Sequence, residues 1–198
     1  MLTGLILAAG DSTRMGFPKA LLLTRGGRPF VAAVASTFAE AGIHDIVVVT
    51  GRDHDRIVAA LEKERLAVVP RVVRNPDPSR GQLSSLLAGM DAVVTPDTEA
   101  LAVTLVDVPM LDPRTVRVVV AEWQRVRAPI VRPAIGDRHG HPVVFDQRLF
   151  AELRTAPLDV GAKAVVRAHA DEIVNVPVTD EGCLVDVDTP QDYEALRR

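Results

Sequence analysis

Cysteine is almost missing from this 198-residue chain, with Cys183 the sole example. One thiol excludes an intramolecular disulfide and any metal site built on paired cysteines, and it makes a cytoplasmic setting the expectation. Lysine is scarce too: Lys19, Lys63 and Lys163 are the three lysines among 23 basic residues. A lysine is therefore informative where one occurs. No apolar run approaches the ~20 residues that span a bilayer, and no basic segment precedes a signal-like stretch, so neither a membrane span nor a leader is expected. The net charge of −3 gives no basic footprint for nucleic acid or an anionic membrane. Internal repeats, low-complexity tracts and linkers are absent as well. Neither the Gly-Lys-Ser/Thr P-loop nor the GxGxxG dinucleotide pattern occurs.

What is present is an ordinary globular balance, 47% apolar and 25% charged. The length suits a single domain, residues 1–198. Strand-like runs alternate with helical patterns, which predicts an α/β fold of three layers, a mostly parallel sheet with helices on both faces. Strands are expected at Thr3–Ala8, Asp45–Thr50, Val68–Arg74 and Leu101–Val106. Helices are expected over Phe30–Ala41, His54–Arg65, the segment opened by Gly81, and Pro113–Val126. Past Ile130 the alternation weakens. Short strands at Ile130–Arg132, Pro142–Phe145, Ile173–Val178 and Leu184–Val187 are interleaved with helices near Asp146–Leu153, Gly161–His169 and Pro190–Arg197. Residues 1–128 then form a nucleotide-binding part, and 129–198 a lid or acceptor-binding part of the same domain.

The stretch Leu5–Leu23, LILAAGDSTRMGFPKALLL, organises the rest. A buried strand breaks at Gly10 into a small, polar loop reaching Gly16, a geometry that aims backbone N–H groups at an anion. Arg14 and Lys19 add positive charge there, though a plain strand-to-helix turn with two solvated cations fits the same letters. In open α/β sheets, ligands sit beyond the carboxyl ends of the strands. Four features fall there: the Gly10–Lys19 loop, Asn75–Ser85, Asp107, and Asp186 with Asp188. Asp107 alone could be a turn or capping residue. Asp186 and Asp188 share a face in extended chain, so spacing does not choose between them. Asp188 before Thr189-Pro190 reads as the cap of the last helix, which favours Asp186 for ligand work. His44, His54, His139 and His169 read as surface residues, and Trp123, at helical spacing with Val119 and Val120, as core.

Five ordered segments resemble the molybdenum-cofactor cytidylyltransferase family, within the wider Rossmann-like, nucleotide-diphospho-sugar-transferase-like nucleotidyltransferases. They are LAAGDSTRMGFPK, NPDPSRGQLSSL, LVDVPML, GHPVVF and DVDTPQDY, and they span Leu5 to Tyr193. The resemblance implies a magnesium-dependent transfer of CMP from CTP to molybdopterin-type molybdenum cofactor, with release of pyrophosphate. It implies that Leu7, Ala8, Ala9, Gly10 and the following backbone hold the nucleotide, with Arg14 and Lys19 on its phosphates. Asn75, Gly81, Ser84 and Ser85 would face base and ribose. Asp107 would bind Mg2+ with Asp186, or Asp188 as substitute, and Arg14, Lys19 and Asp107 would be the catalytic set. His141 and Lys163 would meet the acceptor, although Lys163 stands where the family motif usually ends in arginine and lacks its bidentate fork. Related guanylyltransferases read Leu-Ala-Gly-Gly where this chain has Leu7-Ala8-Ala9-Gly10, so the extra methyl of Ala9 points to a pyrimidine. Transient contact with a molybdenum apo-enzyme follows from the same resemblance. A cytidylyl- or uridylyltransferase acting on a sugar or polyol phosphate, and a non-catalytic molybdopterin-binding or delivery protein, are the rival readings.

Overall fold

The computed structural model of the protein describes residues 1–197. Strand β1 (Leu2–Ala8) is buried on both faces, as the apolar run from Leu5 requires. Parallel β2 (Ile46–Thr50) lies on one side of it and parallel β4 (Ala100–Leu105) on the other. Strand β3 (Arg71–Arg74) extends the sheet beyond β2. It is shorter than the expected Val68–Arg74 because Pro70 has no N–H to offer the ladder and Val69 is exposed. The antiparallel half contains β5 (Ile130–Ile135), β6 (Arg138–His139) and β7 (Val143–Asp146), with β8 (Ile173–Pro177) running parallel to β5. The order is β3-β2-β1-β4-β7-β5-β6, with β8 on β5, so the sheet is mixed, and its parallel core carries the amino-terminal half.

Alternate residues of β1 face two different cores, which is why there are three layers. Ile6 and Ala8 pack against α1 (Phe30–Glu40), α2 (His54–Glu62) and α4 (Pro113–Val126), where Phe30, Phe38, Ile57 and Trp123 are buried. Leu5 and Leu7 face α3 (Gln82–Val93), α5 (Phe150–Thr155) and α6 (Lys163–Ala168) through Leu83, Met90, Leu153 and Val165. Trp123 is core, as expected, and its indole N–H donates to Asp146 at 3.0 Å. No described helix is long and apolar enough to cross a membrane.

Two local expectations fail. Leu184–Val187 is not a strand; the chain forms a 3-10 turn over Glu181–Leu184, opened by the Asp180 carboxylate accepting from Gly182 N–H at 2.9 Å. Asp188 does not cap the last helix, α7 (Pro190–Arg197). Thr189 does: its hydroxyl accepts from Asp192 N–H, and the Asp192 carboxylate receives the N–H groups of Asp188 and Thr189, a reciprocal capping box. The carboxylate of Asp188 is left for other work.

His169 lies at the surface, as expected, and is paired there: Glu152 lies 2.8 Å from its Nε2 and Glu172 2.7 Å from its Nδ1. These carboxylates, Glu152 first, raise its pKa above the ordinary value. A raised histidine contributes stability that is complete below its unfolded value of about 6.5 and is lost as pH rises through the folded value. His169→Gln should therefore lower the melting temperature below about pH 6, by an amount equivalent to about 0.2–1 kcal/mol. The two melting curves should converge in alkaline buffer, as thermal denaturation followed by circular dichroism would read.

Candidate active site

The parallel strands end in a cleft of about 310 Å³. Leu7, Ala8, Ala9 and Gly10 form its floor, and Asp11–Arg14 curl over one side. The turn is shaped by Ser12, whose φ of +49° lets its carbonyl accept from the N–H groups of Met15 and Gly16. Its hydroxyl accepts from Lys19 N–H at 3.1 Å, which sets where that lysine enters the cleft. A Cβ on Gly10 would meet nothing within 4 Å, so the glycine leaves open space rather than relieving a clash. Open backbone at that point is what close approach of a phosphate needs.

Lys19 is the centre of the electrostatics. Its ammonium donates to Asp107 Oδ2 at 2.7 Å and also to Asp188 Oδ1, with only 13% of its side chain exposed. Burial alone would pull its pKa down, but hydrogen bonds and charge from Asp107 and Asp188 outweigh this and raise it. Arg14, 67% exposed, reaches the other oxygen of Asp188 at 2.8 Å. The Lys19 contact, ahead of that of Arg14, holds Asp188 below the usual carboxylate range.

Asp107 sits just beyond β4, and its Oδ1 is buried with no hydrogen-bond partner. An orphaned carboxylate oxygen in a polar cleft is a place for a cation to bind. Among the described residues, no three His, Cys, Asp or Glu side chains gather as a complete cation cage. One or two carboxylates completed by phosphate oxygens and waters is the arrangement magnesium favours, so Asp107 and its neighbours fit that ion.

A strap, residues 180–188, brings the second half of the chain to this point. Val187 N–H donates to the Asp107 carbonyl at 2.8 Å, His141 N–H to the Cys183 carbonyl at 2.9 Å, and Asp112 N–H to the Asp180 carboxylate at 2.9 Å. Glycine permits the fit: a Cβ on Gly140 would stand 2.3 Å from the Cys183 carbonyl oxygen, and one on Gly182 would stand 2.1 Å from that of Met110. Asp186 rides on the strap, its pKa raised by desolvation and next by the negative charge of Asp107. Because β7 runs antiparallel to β4, its beginning lies at the carboxyl end of the parallel strands, and His141 arrives there with it. Burial lowers the pKa of His141, against the pull of the Val103 carbonyl, Asp186 and Asp107.

Not every expected residue faces the cleft. Gly81, Ser85 and Asp188 line it, but Asn75, Ser84, His141 and Asp186 do not. Asn75 is buried; its amide N–H groups donate to the hydroxyls of Ser84 and Ser85, and its oxygen accepts from Asp77 N–H, so it braces the loop from behind. Lys163 is exposed at the start of α6 and lies outside the cleft lining. Sequence reasoning placed the stretches that hold Ser12 and Gln82 here without singling out either residue, and it missed the Gly51–Asp53 loop, which also lines the cleft. That last loop follows β2, a parallel strand end like the others, and this position was the available signal. A Cβ on Gly51 would come 2.7 Å from the Ala9 carbonyl oxygen, so the two loops pack backbone to backbone.

Known proteins share this architecture over nearly its whole length. The chain is 34% identical to nicotine blue oxidoreductase of Paenarthrobacter nicotinovorans over 98% of its length and 95% of the relative. It is 28% identical to a probable molybdenum cofactor guanylyltransferase of Natronomonas pharaonis over 98% of its length and 96% of that protein. The crystal structure of Rv0371c from Mycobacterium tuberculosis superposes with a TM-score of 0.82 at 28% identity, covering 100% of this chain and 98% of that one. A complex of the same mycobacterial protein with manganese has also been solved, matching with a TM-score of 0.75. A family model describing the MobA-like NTP transferase domain matches residues 4–173. With that match, which takes in the glycine turn, the strand-end aspartate and all of the cleft lining except Asp188, the chain belongs to the MobA-like NTP transferases, a nucleotidyltransferase family.

Proposed function

We propose that this protein transfers CMP from CTP to the phosphate of a molybdopterin-type acceptor and releases pyrophosphate. One observation carries the reading: a lysine is clasped by two carboxylates, one with an orphaned oxygen, beside an open glycine turn. Backbone from Gly10 to Arg14 would receive the triphosphate, with Gly81 and Ser85 on the nucleoside side of the cleft. An acceptor phosphate oxygen attacks the α-phosphorus, a new P–O bond forms, and the bond to the bridging oxygen of the β-phosphate breaks. Lys19 and Arg14 balance the charge that spreads over the non-bridging oxygens, which is most of what such transfers ask of a protein. Asp107, with Asp186 or Asp188, would hold magnesium, which when bound draws charge from the phosphates.

The base preference rests on Ala9, which is 5% exposed and forms part of the cleft floor. Its methyl narrows the space that a glycine leaves open to a purine. Ala9→Gly should lower the ratio of kcat/KM for CTP over GTP by roughly tenfold, the scale of one methyl group. An unchanged ratio would remove the base argument.

A second reading, an oxidoreductase, draws on the 34% identity with nicotine blue oxidoreductase. A redox carrier has no evident use for the paired carboxylates and lysine, so transfer is the better account. One panel separates the alternatives: CTP, GTP or UTP with molybdopterin or sugar and polyol phosphates, read as pyrophosphate release. Release from CTP and molybdopterin alone supports the proposal. Turnover of a sugar or polyol phosphate instead would reassign the acceptor. Magnesium-independent molybdopterin binding without pyrophosphate release would make the protein a carrier, and reduction of a pigment in its place would make it a redox enzyme.

A further inference from the structure

The ammonium of Lys19 occupies the space between carboxylates that a divalent cation would need. It contacts Asp107 Oδ2 at 2.7 Å and Asp188 Oδ1 together, while Asp107 Oδ1 stays buried without a partner. The Lys19–Asp107 arm of the clasp is shielded, since 13% of the Lys19 side chain and 15% of that of Asp107 are exposed, while Asp188 is 37% exposed. A dication and an ammonium sharing one carboxylate repel strongly in such surroundings. Lys19 starts from a backbone fixed by Ser12, and Gly10 and Arg14 lie in the same cleft. Its long stem can therefore exchange carboxylate for phosphate without moving the main chain.

We infer that Lys19 is a placeholder in the cation site, released when a nucleoside triphosphate enters the glycine turn, so that the divalent cation and the nucleotide bind as a coupled pair. The inference rests on the nucleotidyl-transfer reading and adds an order to it. The triphosphate offers the ammonium a more highly charged partner, and Asp107 and Asp188, freed of it, would then be available to hold the cation. Linkage requires the reverse effect as well: a bound cation tightens nucleotide by the same factor. Such a device keeps the site from filling with metal when no nucleotide is present. It also keeps two carboxylates from facing each other without a counter-charge.

The test is manganese(II) binding to the nucleotide-free protein, followed by loss of the free-ion electron paramagnetic resonance signal. Lys19→Met should bind manganese roughly tenfold tighter than the wild type or more, and the added Asp107→Asn substitution should abolish the gain. Arg14→Met removes a neighbouring positive charge from Asp188 without opening the clasp, and should change affinity far less. Lys19→Gln repeats the measurement with a polar side chain should the methionine variant not fold. Equal tightening in the Arg14 and Lys19 variants would reduce the effect to general charge and overturn the placeholder role. So would unchanged affinity in the Lys19 variants alongside Asp107-dependent binding in the wild type, with nucleotidyl transfer left standing. If no variant binds manganese through Asp107, with or without CTP, the metal-assisted reading of the site falls along with the placeholder.

Discussion

Asp107→Asn should reduce pyrophosphate release by about three orders of magnitude and leave a folded protein. The rate term follows from charge. Asparagine keeps the shape of the strand end but gives up the anionic oxygens that can hold a cation, and a metal supplies several kcal/mol of transition-state stabilisation. A loss of about 4 kcal/mol corresponds to a factor of about a thousand in rate. The folding term follows from what remains. Lys19 keeps its contact with Asp188, so no ammonium is buried alone, and the Asp107 carbonyl still receives Val187 N–H. Steady-state kinetics together with a melting curve would check both halves. Turnover within tenfold of the wild type in a folded Asn variant would remove Asp107 from the reaction.

Lys19→Met should slow the same reaction by roughly a hundred- to a thousandfold, the cost of losing one preorganised donor to a developing oxyanion. Its signature is the opposition of two readouts, since the variant that turns over more slowly should also take up manganese more tightly. Stability responds too. Removing the ammonium leaves Asp107 and Asp188 facing each other, and breaking a buried pair costs about 3–5 kcal/mol. Asp188 is partly exposed, which discounts this to about 1–3 kcal/mol. The pH dependence has a definite sign. The folded pKa of Asp188 is held below its ordinary value chiefly by Lys19, so this stabilisation is present above the unfolded carboxylate value of about 3.9 and disappears as pH falls through the folded value. Wild type and variant should therefore differ most near neutrality and converge in acid, and added divalent cation should restore part of the lost melting temperature.

The parts of the site written into short contiguous stretches are legible in the letters themselves. Leu5–Lys19 encodes a buried strand, a break and a lysine within one segment, and Asp107 follows directly on a run that is apolar but for Thr104. What escapes the letters is decided by packing. Asn75 and Ser84 belong to the right loop, but whether their polar atoms face inward or outward depends on Asp77 and Ser85 across the turn. Asp188 reads as a cap because aspartate precedes Thr-Pro. Thr189 and Asp192 satisfy the helix end between them, which no spacing rule ranks in advance. The antiparallel strands are hardest for a similar reason. β7 has four residues, and its place beside β4 is set by distant partners rather than by its own letters.

The strap that carries Asp188 has a consequence for synthesis. Residues 4–173 account for the family match, and the sheet strands all lie before residue 178. A nascent chain can therefore assemble the sheet while one jaw of the clasp is still missing. Until Val187 has left the ribosome and docked on the Asp107 carbonyl, bringing Asp188 with it, Lys19 has only one carboxylate to hold. Translation ordered from the amino terminus thus completes the lysine clasp late, after the sheet that carries Lys19 and Asp107.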